Sequence, residues 1–119
     1  MSVNGMARYR TVARFEVMTV AALPAGSTVK SLQDRRGRLI LQCAWPASAG
    51  TAARAPVRIV IVAETLSCYF TATHEQRLDA QARFARWVQE RLKRPVGAVA
   101  GRAVEEWVMT PAQLFSRAG

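Results

Sequence analysis

The clearest hydrophobic pattern in the chain is the run VRIVIVA at residues 57–63. In an extended chain Val57, Ile59 and Ile61 point to one side, and Val60 and Val62 point to the other. Because β-branched residues occupy both sides, the run predicts a central strand that is covered on both faces.

A second extended run, RLILQCAW at 38–45, carries apolar residues at alternate positions and follows the segment STVKSLQ at 27–33. Between the two runs, Asp34 can begin a type I turn. Gly37 can then adopt the left-handed conformation from which the returning strand starts. The two runs therefore predict a β-hairpin with a charged, exposed turn.

The segment at 74–93 has the pattern of an amphipathic helix. Thr73 suits the N-cap, Gln76 completes a capping box, and Pro95 ends the run. Trp87 lies about 900° beyond Leu78, roughly opposite the apolar sector. At about 100° per residue, that sector can cover one face of a sheet and contains Leu78, Ala82, Phe84, Ala85, Val88 and Leu92.

Two weaker patterns flank these elements. The run AVEEWVM at 103–109 predicts a strand, and the sequence TPAQ at 110–113 has the N-cap, proline and glutamine of a short terminal helix. The segment 10–20 is ambiguous, because a helix there would place Glu16 in its apolar stripe. Its Thr and Val content favours a strand. One helix cannot cover both faces of the central strand, so either residues 6–22 form a second covering helix or two sheets meet in a dimer.

Together these elements predict an α+β fold with a mainly antiparallel sheet of four to five strands. One long helix, about 74–93, packs on one face of the sheet, and a short C-terminal helix follows. The length of 119 residues, half of them hydrophobic, suits a single small globular domain spanning 1–119. The proline-bounded segment 46–56, rich in small residues, predicts a flexible loop within it.

The chain is strongly basic, with 17 Lys and Arg residues against 8 Asp and Glu and a formal net charge of +9. Most of the excess precedes residue 59. Such a charge attracts polyanions, including nucleic acid and acidic protein surfaces. A GC-rich genome would also produce an arginine-rich composition, so charge alone does not identify a partner.

Cysteine use and hydropathy bear on the compartment. Cys43 and Cys68 lie in apolar runs without a C-x-x-C motif, which is expected of buried free thiols in a reducing environment. No run approaches the roughly 18 apolar residues that a membrane span needs, and the segment 17–26 resembles a signal peptide only faintly. We therefore expect a cytoplasmic protein that does not contact membranes.

Residue patterns typical of enzymes are mostly missing. His74, the one histidine, falls in the first turn of the predicted helix, and Glu105 and Glu106 alternate between the faces of a strand. The cysteines and the histidine lack the spacing of a metal site, and no phosphate-binding glycine motif occurs. We expect a non-enzymatic binding protein with no catalytic residue, metal or cofactor.

Two arginine groups are the candidate binding residues. The tip arginines, at the predicted hairpin turn, are Arg35, Arg36 and Arg38. The helix cluster combines arginines for phosphates with an aromatic face for a base, and consists of Arg83, Trp87, Arg91 and Arg94. The simpler alternatives are that the turn is charged because it is solvated, and that Trp87 packs under another element with arginines over its edges.

Two classes of function remain open. The first is binding of an anionic partner, with nucleic acid favoured over an acidic protein surface, through the surface arginines. The second is a protein-interaction or regulatory subunit that forms a homodimer through an uncovered sheet face or the Trp87 patch. Whether the tip arginines and the helix cluster share a face depends on the strand order, which the sequence does not determine.

Overall fold

The computed structural model describes residues 3–45, 57–93 and 105–115, with side chains described from residue 10 onward. The predicted loop at 46–56 lies outside these residues. The described elements follow in the order α1 (Val3–Ala22), β1 (Thr28–Gln33), β2 (Leu39–Ala44), β3 (Val57–Ile61), α2 (Ala63–Thr71), α3 (His74–Lys93), β4 (Glu105–Met109) and α4 (Pro111–Leu114).

The four strands form one sheet in the order β1-β2-β3-β4. β2 pairs antiparallel with both β1 and β3, whereas β4 pairs parallel to β3. The α+β class and the number of strands agree with the prediction, but the sheet is mixed rather than purely antiparallel. The reason is topological: a parallel neighbour requires a long crossover connection, and α2 and α3 lie within it.

Residues 10–20, predicted as a strand, belong instead to the helix α1. Phe15, Met18 and Ala22 form a buried stripe at helical spacing, and Glu16 lies about 100° from Phe15, at the margin of that stripe. The buried Thr19 hydroxyl donates a hydrogen bond to the Phe15 carbonyl at 2.6 Å. The prediction was wrong because two of the valines that favoured a strand, Val17 and Val20, lie on the exposed side of a helix.

The helices α1 and α3 lie side by side on one face of the sheet. Their contact centres on Phe15, whose ring lies 5.1 Å from that of Tyr69 and 5.7 Å from that of Phe84. The additional helix, α1, therefore covers the same face of the sheet as α3. The inward-facing strand residues of this core include Leu39, Leu41, Cys43, Val57, Ile59, Ile61, Trp107 and Met109.

The opposite face of the sheet carries a row of aliphatic side chains that crosses all four strands. The strand register aligns Leu32, Ile40, Val60 and Val108. Val60 is 2% exposed, so β3 is buried on both faces, as predicted for a central strand. Leu32 and Val108, on the two edge strands, are 43% and 41% exposed.

Local signals placed two of the helices correctly. The Thr73 N–H donates to Gln76 Oε1 at 2.9 Å and the Gln76 N–H donates to Thr73 Oγ1 at 3.2 Å, which is the predicted capping box of α3. The Thr110 N–H donates to Gln113 Oε1 at 2.9 Å at the start of α4. The helix α2 was not predicted, because it follows β3 after one residue without a glycine or proline between them.

Both cysteines are free thiols, but only one of them is buried. Cys43 lies in the core, where burial raises the pKa of its thiol to about 12. Cys68 is exposed on α2, so the expectation of a buried thiol was wrong there. The run around Cys68 is largely apolar in sequence, but Cys68 itself lies on the solvent side of an amphipathic helix.

Candidate anion-binding site

The turn between β1 and β2 has the predicted backbone geometry. The Asp34 carbonyl accepts a hydrogen bond from the Gly37 N–H, and the Asp34 N–H donates to the Arg38 carbonyl, each at 3.1 Å. Gly37 has φ of +78°, which is the left-handed conformation that glycine adopts without strain. The tip of the hairpin is therefore a defined turn.

The Asp34 carboxylate fixes this turn from inside. Its Oδ1 accepts hydrogen bonds from the backbone N–H groups of Arg36 and Arg38, both at 2.9 Å, and its Oδ2 accepts one from Arg38 Nε at 2.5 Å. Desolvation alone would raise the pKa of Asp34. The hydrogen bonds and charge of Arg38, together with the Arg36 N–H, outweigh it and hold the pKa of that carboxyl below its ordinary value.

The three tip arginines therefore differ in what they can do. Arg38 is half-buried and paired with Asp34, so its guanidinium stabilises the turn. Arg35 and Arg36 are exposed, and neither pairs with an acidic side chain in the described part of the chain. Two adjacent guanidinium groups thus remain available to an anion from outside.

Arg35 and Arg36 are exposed and are among the residues that line a cleft of about 580 Å³, the tip cleft. The start of α2 lies against the turn beside this cleft, because a Cβ atom on Gly37 would lie 3.7 Å from the Cβ of Ala63. The lining comes from α1 (Thr11, Val12), from the hairpin (residues 33–37) and from one face of α2 (Ala63, Leu66, Ser67, Phe70, Thr71).

The tip cleft combines apolar and polar walls. Leu66 and Phe70 of α2 are half-buried and give it an apolar side, while Ser67 and Thr71 add hydroxyl groups. The Thr71 hydroxyl donates to the Ser67 carbonyl at 3.0 Å. The sequence reasoning missed these residues because it did not predict α2. Their spacing of three, four, seven and eight residues from Ala63 is the signal that could have found them.

The helix cluster is arranged differently. The Trp87 ring centroid lies 6.1 Å from those of both Phe84 and Trp107, edge-on to Trp107 at 88°. The Arg91 guanidinium covers the Trp87 ring at 4.8 Å. Arg83 Nε donates to Asp79 Oδ2 at 2.9 Å. These contacts match the simpler alternative, in which Trp87 packs against the core with an arginine over it.

The buried side of α3 differs from the predicted sector. Leu78 is 52% exposed and Ala82 is also exposed, whereas Ala80 is fully buried. The sector centred on Ala80 and Phe84 is rotated by about 80° from the predicted one, towards Trp87. Trp87 was placed on the opposite side because it was measured from Leu78, which does not face the core.

The tip arginines and the helix cluster lie towards opposite edges of the sheet. The hairpin consists of β1 and β2, whereas Trp87 packs against Trp107 of β4, the other edge strand. At about 4.8 Å between neighbouring strands, the two edge strands are roughly 14 Å apart. Arg94 lies outside the described residues. The tip cleft, with Arg35 and Arg36, is therefore a candidate site of its own.

In the described part of the chain, acidic, histidine and cysteine side chains do not form a metal-binding cluster at the tip cleft. Within the ranges that the structure describes, no three or more of them are grouped to hold a metal ion. Glu105 accepts a hydrogen bond from the Trp107 indole, while Glu106 faces Arg58 across the other side of the sheet at 3.7 Å. His74 is exposed at the start of α3. None of the described helices is long and apolar enough to span a membrane.

Comparison with known proteins identified no relative of this chain. No family model matches the chain, and neither a curated protein nor a solved structure was found to be similar to it. The candidate site rests on the geometry of this chain.

Proposed function

We propose that this protein is a small non-enzymatic binding protein that contacts nucleic acid through the hairpin tip. The observation that supports it most is the pair Arg35 and Arg36. These are two adjacent exposed guanidinium groups that line a cleft, and neither forms an ion pair with an acidic side chain in the described part of the chain. Guanidinium groups bind phosphate oxygens through paired N–H donors, and phosphate contacts supply most of the affinity for nucleic acid.

The fixed turn favours binding at this place. Because Asp34 and Arg38 hold the backbone of the turn, Arg35 and Arg36 start from a defined position and lose less conformational freedom when an anion binds. The net charge of +9 adds a long-range attraction for a polyanion. In this proposal the remaining basic residues, including Arg83 and Arg91 of α3, contribute to that attraction rather than to the contact itself.

The test is direct binding of a fluorescently labelled oligonucleotide, followed by anisotropy, in competition with either unlabelled oligonucleotide or polyglutamate of equal total charge. The proposal predicts that the oligonucleotide competes much more strongly than polyglutamate. It also predicts that affinity falls steeply between about 50 and 200 mM salt. Equal competition by polyglutamate would instead indicate an acidic protein partner, and absence of binding would refute both.

A second candidate function is self-association through the outer face of the sheet. The aliphatic row of Leu32, Ile40, Val60 and Val108 is the observation that favours it, because Leu32 and Val108 at its two ends are exposed and exposed apolar patches often mark protein contacts. In this alternative a second copy covers the row and forms a homodimer.

Sedimentation equilibrium of matched variants tests the homodimer. Val108→Lys places a charge in the row, and Leu78→Lys places the same charge on a somewhat more exposed aliphatic site of α3. The homodimer requires that only Val108→Lys weakens association. A wild-type protein that stays monomeric at all concentrations would contradict this second candidate.

A further inference from the structure

We infer that the tip cleft receives one unpaired nucleotide, so that the nucleic acid this protein binds is single-stranded. The inference rests on the proposed function and goes further, because it assigns a base to the cleft and phosphates to its edge. The juxtaposition that carries it is that the half-buried Phe70 and the exposed Arg35 and Arg36 line the same cleft.

The size of the tip cleft argues for more than a phosphate. At about 580 Å³ it falls within the range of roughly 300–1,000 Å³ that small organic ligands occupy. A phosphate held by Arg35 and Arg36 at the edge would leave most of this space unused. A nucleotide attached to that phosphate would fill it.

The walls of the cleft suit a base. Phe70 and Leu66 are half-buried, so each offers part of its apolar surface to the cleft. An aromatic ring beside a cationic edge is the combination that proteins use to bind single strands, because every base has a face that stacks. The hydroxyl groups of Ser67 and Thr71 supply hydrogen-bonding atoms beside that apolar wall.

A double helix does not offer a base to such a site. Its bases are paired and stacked, and one must be unstacked before it can enter a protein cleft. The bases of a single strand are already available for stacking on protein side chains. The same arginines would bind phosphates of either form, so only the cleft discriminates between them.

The experiment compares three labelled ligands of equal length and charge: a strand without self-complementarity, a strand of the same base composition reordered to fold as a hairpin duplex, and the first strand with abasic sites. We expect the intact single strand to bind wild-type protein at least about tenfold more tightly than the other two. Phe70→Ala should remove this preference and leave duplex binding unchanged. Leu78→Ala, a truncation at an exposed site of α3, should change neither.

A second variant keeps the test valid if Phe70→Ala does not fold. Ser67 is exposed on α2 and lines the tip cleft, so Ser67→Leu places in the cleft a bulkier side chain that has no aromatic ring to stack on a base. It should also abolish the preference for the intact single strand. Equal affinity of wild-type protein for all three ligands would overturn this inference and leave the proposed function intact. Binding to none of them would overturn both.

Discussion

Asp34 and Arg38 form an ion pair at 2.5 Å inside the turn between β1 and β2, and the second oxygen of the same carboxylate binds two backbone N–H groups. This arrangement separates two roles among neighbouring arginines. Arg38 stabilises the turn, and Arg35 and Arg36 project from it beside the tip cleft. The binding residues are therefore positioned by an acidic residue that also lines the cleft, and both of its carboxylate oxygens accept hydrogen bonds from the turn.

Replacing Asp34 with asparagine should destabilise the turn in a pH-dependent way. A carboxylate whose pKa is lowered by folding adds stability that is complete above the ordinary aspartate pKa and is lost as the pH falls through the lowered value. Denaturant unfolding should show wild type more stable than Asp34→Asn at neutral pH, with the difference shrinking in acid. Glu75→Gln controls for the loss of one exposed negative charge. A difference independent of pH would contradict the role of this pair.

Gly37→Ala should lower the free energy of unfolding by about 1–2 kcal/mol, the cost of holding an L-residue in the left-handed conformation. The cause is backbone strain, since the new Cβ would lie at an ordinary 3.7 Å from that of Ala63. Gly37→Asn should cost less, because asparagine tolerates this conformation better. Equal destabilisation by both, measured by urea unfolding, would indicate a steric cause instead.

Trp87→Ala should reduce the free energy of unfolding by about 2–3 kcal/mol, below the cost for a fully buried tryptophan, because the ring is half-buried. The loss comes from its contacts with Phe84 and Trp107. Oligonucleotide affinity, measured on the folded protein, should not change. Lower oligonucleotide affinity with an unchanged free energy of unfolding would indicate that the helix cluster belongs to the binding surface.

The two thiols should react very differently with a thiol reagent at about pH 8, because the thiolate is the reactive form. Cys68 is exposed and should react in the native protein. Cys43 is buried, with its pKa raised to about 12, and should react only after denaturation. Cys68→Ser should remove the native reaction. Labelling of Cys43 in native Cys68→Ser would show that the core opens readily.

The parts of the fold that follow from local chemistry could be predicted. The hairpin depends on Asp34 and Gly37, which act within a few residues, and the start of α3 depends on the reciprocal bonds of Thr73 and Gln76. In each case the partner groups are close in sequence. The side chains themselves therefore specify the structure.

The parts of the fold that depend on packing between distant segments could not be predicted from the sequence. The valines of α1 favour a strand locally, but the packing of Phe15 against Tyr69 and Phe84 makes the segment a helix. The sequence likewise predicts that the arginines of the hairpin tip are exposed, but it does not predict the tip cleft beside them. The walls of the cleft come from α1, the hairpin and α2, which are brought together only in the folded chain.

The most direct test of the hairpin tip as a phosphate-binding site is the salt dependence of oligonucleotide binding in two charge-matched variants. Arg35→Gln with Arg36→Gln removes two charges at the tip, and Arg86→Gln with Lys93→Gln removes two exposed charges from α3. We predict that the tip variant lowers the slope of log affinity against log salt by about 1.4, the value for two contacts to a single strand. The α3 variant should leave the slope nearly unchanged. Equal slopes in the two variants would contradict the account, because the position of the removed charges would then make no difference and the hairpin tip would not be a distinct phosphate-binding site.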